Sequence, residues 1–305
     1  MKIYENLSEI VGKTPLVYIN KLSQKHGALS KIAVKPEWLN PWGSIKDRAA
    51  LSMLEDARKE GRLKKGGCVI EATSGNTGIG ICGASAVLGY RAIIVMPDSM
   101  SIERQRLMKA YGAELILTDG ALGMTGAIRE AERLNKEIPG SIIVGQFENP
   151  ANSEAHYIAT GREIFEDCDG EIDIFVSAVG SGGTITGAGR YLKEQKSGIK
   201  IVAVEPVSSA VLSGEKAGAH KLQGMGAGFI PKILDINIYD EIIKVSNEEA
   251  FETMRELATT EGMLCGISSG AAVFACLSLS KREENRDKLI VCTLADSGER
   301  YLSGM

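Results

Sequence analysis

Lys46 is a cation in a position that disfavours one. It lies in Asn40-Pro41-Trp42-Gly43-Ser44-Ile45-Lys46-Asp47-Arg48. Asn-Pro and the glycine after it mark a turn, because the residue before proline is pushed out of the helical region. Ser44 is then the expected N-cap of a helix whose apolar positions are Ala49, Ala50, Leu51, Met53 and Leu54. Lys46 falls in the first turn, where the helix dipole prefers negative charge. Two readings follow. The side chain snorkels to water, the ordinary fate of a lysine. Alternatively the amine works as a neutral nucleophile or an imine, as in Schiff-base enzymes. This stretch alone leaves both open.

Three other loops carry convergent polar groups. Thr73-Ser74-Gly75-Asn76-Thr77-Gly78 joins a strand to a helix. Its glycines allow close backbone approach, and its hydroxyls, amide and helix-start N–H groups suit a carboxylate or phosphate. A plain capping loop, with Asn76 or Thr77 as the cap, fits equally well. Gly180-Ser181-Gly182-Gly183-Thr184-Ile185-Thr186-Gly187 follows the apolar strand Ile172 to Ala178. Successive glycine N–H groups at a helix start form an anion nest, and Ser181, Thr184 and Thr186 add hydroxyls. No Gly-Lys-Ser/Thr follows, and Ile185 stands where a dinucleotide fingerprint has its third glycine, so a phosphate monoester is the better ligand. Gly266-Ile267-Ser268-Ser269-Gly270 opens a helix predicted from Ala271 to Ser280. One serine suffices as a cap, which leaves the other for a ligand.

Gly78-Ile79-Gly80-Ile81-Cys82-Gly83 matches the dinucleotide pattern literally, with Asp98 after the next strand. Its position is wrong for a nicotinamide enzyme. The first glycine should close the turn after the strand, but Ala72 to Thr77 intervene, so these glycines sit inside the helix and permit close packing.

The positioning elements read as a βα rhythm. Strands are predicted at 14–19, 31–35, 67–72, 91–96, 113–117, 141–144, 172–178, 199–204, 240–245 and 288–294. Helices are predicted after Lys46 and at 77–88, 101–111, 123–137, 153–167, 187–195, 247–261 and 269–280, with a long loop at 206–235. Such alternation implies an α/β fold of two open twisted sheets, mostly parallel, with flanking helices. The expected division is 40–145 as a smaller, mobile domain and 1–39 plus 146–305 as a larger one, with the active site in the cleft between them.

Composition bounds the function. Net charge is −4, which gives no case for nucleic acid or an anionic membrane. The six cysteines form no C-x-x-C pair and read as reduced thiols, and the three histidines share no ligand spacing, so no metal is expected. No signal peptide or membrane-length apolar run is present, and the expected location is cytoplasmic.

Taken as a set, Gly43-Ser44-Ile45-Lys46-Asp47-Arg48, Thr73 to Gly78, Gly180 to Gly187 and Gly266 to Gly270 resemble the cysteine synthase (O-acetylserine sulfhydrylase) family of tryptophan-synthase-β-like pyridoxal-phosphate enzymes. The resemblance runs from Val11-Gly12-Lys13-Thr14-Pro15-Leu16 to Gly298-Glu299-Arg300-Tyr301-Leu302-Ser303. It implies that Lys46 is the Schiff-base lysine and the base for the α-proton. It implies that Gly180, Ser181, Gly182, Gly183 and Thr184 hold the phosphate of pyridoxal 5'-phosphate, Asn76 its 3'-oxygen and Ser268 its ring nitrogen. Thr73, Ser74, Gly75, Asn76 and Thr77, with Gln146, would bind the substrate carboxylate. The implied reaction forms L-cysteine from O-acetyl-L-serine and sulfide through an aminoacrylate. A serine at the ring nitrogen makes a weak electron sink, suited to loss of a good leaving group. The resemblance further implies a homodimer, a complex with serine acetyltransferase, and a lid at about 97–126.

Within the family, Gln223-Gly224-Met225-Gly226-Ala227-Gly228-Phe229-Ile230-Pro231 resembles the O-acetylserine enzymes, while Leu294-Ala295-Asp296-Ser297-Gly298 resembles cystathionine β-synthase-like members. The alternative activity is β-elimination or replacement on L-cysteine with release of hydrogen sulfide, as in a cysteine lyase or a lanthionine or cystathionine synthase. Trp42 stands where a small or polar residue is usual. Its indole either narrows the space for the nucleophile or packs into the core, where most tryptophans go.

Overall fold

A computed structural model describes residues 3–304. In chain order the elements are β1 (Val17–Tyr18), α1 (Asn20–Lys25), β2 (Lys31–Pro36), α2 (Lys46–Lys59), β3 (Cys68–Ala72), α3 (Asn76–Leu88), β4 (Arg91–Pro97), α4 (Ile102–Ala110), β5 (Glu114–Thr118), α5 (Gly123–Glu137), β6 (Ile142–Ile143) and α6 (Pro150–Ala155). A π-helical segment, His156–Gly161, leads into α7 (Arg162–Asp167). Then come β7 (Ile172–Ala178), α8 (Gly183–Gln195), β8 (Lys200–Pro206), β9 (Glu241–Val245), α9 (Asn247–Glu256), α10 (Ile267–Ser280) and β10 (Leu289–Leu294). The fold is α/β with two mostly parallel sheets and flanking helices.

Asn40–Asn152, with the stretch up to Val11, forms one unit; Gly12–Leu39 and the chain from Ser153 onward form the other. The first unit takes more chain than the expected 40–145. Val11 and Ala151 pack into its core, Ser52 Oγ donates to the Ala151 carbonyl at 2.8 Å, and Asn152 Nδ2 donates to the Gln146 carbonyl at 2.7 Å.

The first unit's sheet has the order β5-β4-β3-β6, all parallel. Alternate residues serve opposite faces. Val69, Ala92, Ile94 and Met96 pack with α2 and α3, and Cys68, Ile70, Ile93 and Val95 pack with Ala127 and Ala131 of α5. The second unit's sheet has the order β1-β2-β10-β7-β8-β9, parallel except for β1. Ile174, Val176, Val202 and Val204 face α9 and α10, while Phe175, Ile201 and Ala203 face α8.

Four helix starts differ from expectation, three of them after a glycine. The N-cap of α2 is Ile45 rather than Ser44, although Ser44 Oγ still accepts from the Lys46 N–H at 3.2 Å. Gly75 and Gly266 precede α3 and α10 with no side-chain cap, so Asn76, Thr77, Ser268 and Ser269 lie inside the helices. Gly182, in the left-handed conformation (φ +84°), lets α8 begin at Gly183 instead of Gly187. The helices expected at 153–167 and 247–261 each contain a π-helical stretch, at His156–Gly161 and Leu257–Glu261. Periodicity alone does not report these, because they alter the hydrogen-bond register without removing the helix. The first strand shrinks to Val17–Tyr18, and α1 had no capping signal to reveal it.

The literal dinucleotide pattern lies inside α3 and serves packing. A methyl group at position 80 would come within 3.1 Å of the Lys46 carbonyl oxygen and of Ala50 Cβ. One at position 83 would come within 2.5 Å of Trp42 Cγ. Trp42 is accordingly buried in this core, 3% exposed. A Gly83→Ala substitution is expected to destabilise the protein by about 1–3 kcal/mol by overpacking, despite alanine's higher helix propensity. Urea unfolding checks this; an unchanged or raised midpoint would show that the indole has room to move.

Candidate active site

In each unit the polar loops leave the carboxyl ends of parallel strands, where α/β sheets bind their ligands. In the first unit β3 and β6 are neighbours, with Val69 and Ile70 opposite Ile142 and Ile143. That pairing brings the loop at Thr73 beside Gln146, far away in sequence. The Thr77 hydroxyl donates to Gln146 Oε1 at 2.6 Å. This assigns the amide orientation and turns the Gln146 NH2 away from Thr77. Thr73 Oγ1 accepts from the Gly75 N–H at 3.3 Å, closing the turn. With no side-chain cap on α3, the helix start offers N–H groups and a positive dipole end to an anion. Ser74, Gly75 and Asn76 are half-buried around it, and Lys46, also half-buried, opens α2.

The second unit holds the glycine-rich loop. Gly183 and Thr184 form the first turn of α8, and Ser181 precedes it, 3% exposed. The backbone leaves no room for side chains here. A methyl at position 180 would overlap the Gly224 carbonyl oxygen, and one at 182 would press within 2.7 Å of Leu234 Cβ. This cradle of N–H groups and hydroxyls, barred to any Cβ, fits a phosphate monoester. Thr184 Oγ1 lies 3.2 Å from His156 Nε2, and His156 Nδ1 lies 2.9 Å from Thr160 Oγ1. Thr186, expected to add a donor, also accepts from the Asp235 N–H at 3.0 Å and ties down a neighbouring loop.

The two serines of α10 divide their tasks. Ser269 Oγ accepts from the Ala295 N–H at 3.0 Å and joins the helix to the end of β10. Ser268 is 4% exposed and its hydroxyl makes no hydrogen bond among the described residues. Gly224 lies over it, since a methyl there would reach 3.6 Å from Ser268 Oγ. Ser268 therefore offers a nearly buried hydroxyl for a ligand, the arrangement a cofactor ring atom would use.

Four participants were not foreseen as such. His156 is buried and supports Thr184, but a single histidine in a helical run gives no signal. Gly224 closes the cradle through tertiary contact alone. Arg104 of α4 donates from Nη1 to the Ser74 carbonyl at 3.3 Å. Glu71, one residue before the end of β3, accepts from the Gly145 and Gln146 N–H groups. Burial pushes the Cys82 and Cys265 thiols up to about 12, so neither is a nucleophile at neutral pH.

Parallel strands ending in polar, glycine-rich loops are the frame on which α/β enzymes handle small phosphorylated ligands. The chain belongs to the family of pyridoxal-phosphate dependent enzymes, which it matches over residues 7–296. It is 49% identical to a cysteine synthase of Staphylococcus aureus strain N315, over 99% of this chain and 96% of that protein. The crystal structure of a cysteine synthase from Entamoeba histolytica superposes with a TM-score of 0.97 at 49% identity, covering 99% of this chain and 90% of that one. A hydrogen sulfide-producing enzyme from Fusobacterium nucleatum superposes with a TM-score of 0.93 at 45% identity, covering 98% and 100%.

A Gly182→Ala substitution is expected to weaken pyridoxal phosphate binding at least about tenfold, through backbone strain and overlap with Leu234. Gly198, whose added methyl would meet nothing, is the control and is expected to leave affinity unchanged. Titration of the cofactor-free protein with pyridoxal phosphate measures both. Equal affinities would remove this loop as the cradle.

Proposed function

We propose that the protein forms L-cysteine from O-acetyl-L-serine and sulfide. The observation that carries this is the end-to-end similarity to proteins named cysteine synthase, at 49% identity over 99% of the chain. Bound pyridoxal phosphate supplies an electron sink for loss of the β-substituent of an α-amino acid. Lys46 would hold the cofactor covalently, and its amine would serve as the base for the α-proton. Gly180, Ser181, Gly182, Gly183 and Thr184 would bind the phosphate, Asn76 the 3'-oxygen and Ser268 the ring nitrogen. The Thr73–Thr77 loop and Gln146 would take the substrate carboxylate. The burial of Trp42 in the core supports the reading that it sets no limit on the nucleophile.

The likeness to the hydrogen sulfide-producing enzyme supports a second reading, β-elimination or replacement on L-cysteine with sulfide as product. On either reading we place the protein in the cytoplasm, as a homodimer and a partner of serine acetyltransferase. All six cysteines are free thiols, and no helix among the described residues is long and apolar enough to cross a membrane. We further propose that the segment at about 97–126 closes over bound substrate, since Arg104 already links α4 to the Ser74 carbonyl.

The test pairs O-acetylserine, serine, O-phosphoserine and cysteine with sulfide, homocysteine or no second substrate. Fast sulfide incorporation from O-acetylserine is the expected result, and Lys46→Ala is expected to abolish it while leaving the fold intact. Faster turnover of cysteine with sulfide release would move the assignment to the second reading.

A further inference from the structure

The Gln146 side chain is held by the Thr77 hydroxyl and by its own backbone, and that backbone rests on a buried carboxylate. Glu71 is 4% exposed. Its Oε2 accepts from the Gly145 N–H at 2.8 Å and its Oε1 from the Gln146 N–H at 3.3 Å. Asn152 Nδ2 donates to the Gln146 carbonyl at 2.7 Å, and Asn149 Nδ2 to the Val144 carbonyl at 3.0 Å. The turn after β6 is thus held from several sides. Only Glu71 among these supports changes its hydrogen-bonding character with pH.

We propose that Glu71 is a positioning residue for the amino-acid donor: when ionised, its carboxylate fixes the Gly145–Gln146 backbone and so aims the Gln146 amide at the substrate carboxylate. The inference rests on the assignment of that loop to substrate binding. An ionised carboxylate accepts both N–H groups. A protonated one carries an O–H, which opposes one of them and leaves that N–H unpaired in a buried place.

Burial raises the Glu71 carboxyl to about 7, while the N–H groups of Gly145, Gln146 and Val144 pull the other way. No charged residue occurs in α3 or β6. Arg91 lies at the far end of β4, paired with Glu114. On α5, Arg133 pairs with Glu130 and Glu137, and Arg129, Glu132 and Lys136 are exposed, as is Glu148 of the loop. Glu71 is mostly ionised at pH 8 and mostly protonated at pH 6, so donor binding weakens as pH falls through about 7.

Two measurements on the holoenzyme test this. At saturating sulfide, Glu71→Gln is expected to raise the KM for O-acetylserine about tenfold at pH 8, with kcat within about twofold. The ratio of its KM to that of the wild type is expected to approach one at pH 6, where both carry a hydrogen donor at position 71. Other titrating groups cancel in this ratio. A ratio independent of pH, or a loss confined to kcat, would overturn the role. The second measurement is amide exchange of Gly145 and Gln146 in the wild type alone, so that a variant that fails to fold leaves the idea testable. Their protection factors are expected to fall at least fivefold from pH 8 to pH 6; equal protection would overturn the proposal. A wild type that turns over no donor would refute the proposed reaction, while the exchange result would still decide what Glu71 does.

Discussion

Close backbone approach at glycine is the constraint on which the rest of this structure depends. In the first unit Gly80 and Gly83 let α3 lie against the start of α2, at the carbonyl of Lys46 and the ring of Trp42. In the second, a methyl at Gly187 would overlap the Ser153 carbonyl oxygen and come within 2.8 Å of the Tyr157 N–H, and one at Gly161 would come within 2.9 Å of Ala188 Cα. These two contacts set α8, and so the glycine-rich cradle, against the π-helical segment. In both places a helix start is located by close approach at a residue that lacks a side chain. Interiors packed at crystal density leave no slack for an added carbon.

The second constraint concerns charge. Lys35 lies on β2 with no exposed surface, a position that would destabilise the fold were it unpaired. It donates to the Thr14 carbonyl at 2.5 Å and pairs with Glu163 at 3.0 Å and Asp167 at 3.4 Å. Glu163 also accepts from the Lys13 N–H at 2.9 Å. One buried cation thereby ties the entry of the chain into this unit to α7. In the first unit the buried carboxyl group of Glu71 accepts from the Gly145 and Gln146 N–H groups. A buried polar group held this way orders the backbone around it.

The relation between sequence and structure differs by element. The spans of α5 and β7 match those expected from the strand–helix alternation, 123–137 and 172–178. The starts of α3 and α10 did not, because asparagine, threonine and serine were read as caps where an uncapped glycine precedes the helix, and that of α8 did not because the left-handed Gly182 starts it four residues early. Capping preference is a local signal, and here Ser269 and Thr186 accept from backbone N–H groups of other segments. Thr186 shows a related limit: its residue type points to an anion donor, and nothing local shows that its oxygen also anchors the Asp235 N–H.

The sequence by itself determined the α/β class, the family and the polar loops, because strand-helix alternation and glycine-hydroxyl clusters are local patterns whose chemistry survives without coordinates. It also determined that Gly78-Ile79-Gly80-Ile81-Cys82-Gly83 is no cofactor loop, since its register placed those glycines inside a helix. Only the tertiary structure decided which of two adjacent serines is available to a ligand and that Trp42 belongs to the core. It alone placed His156 beside Thr184, Gly224 over Ser268, and Glu71 beneath the turn that carries Gln146. Each of these is a contact between residues distant in sequence, created by strand order and close helix approach, and no local pattern encodes it.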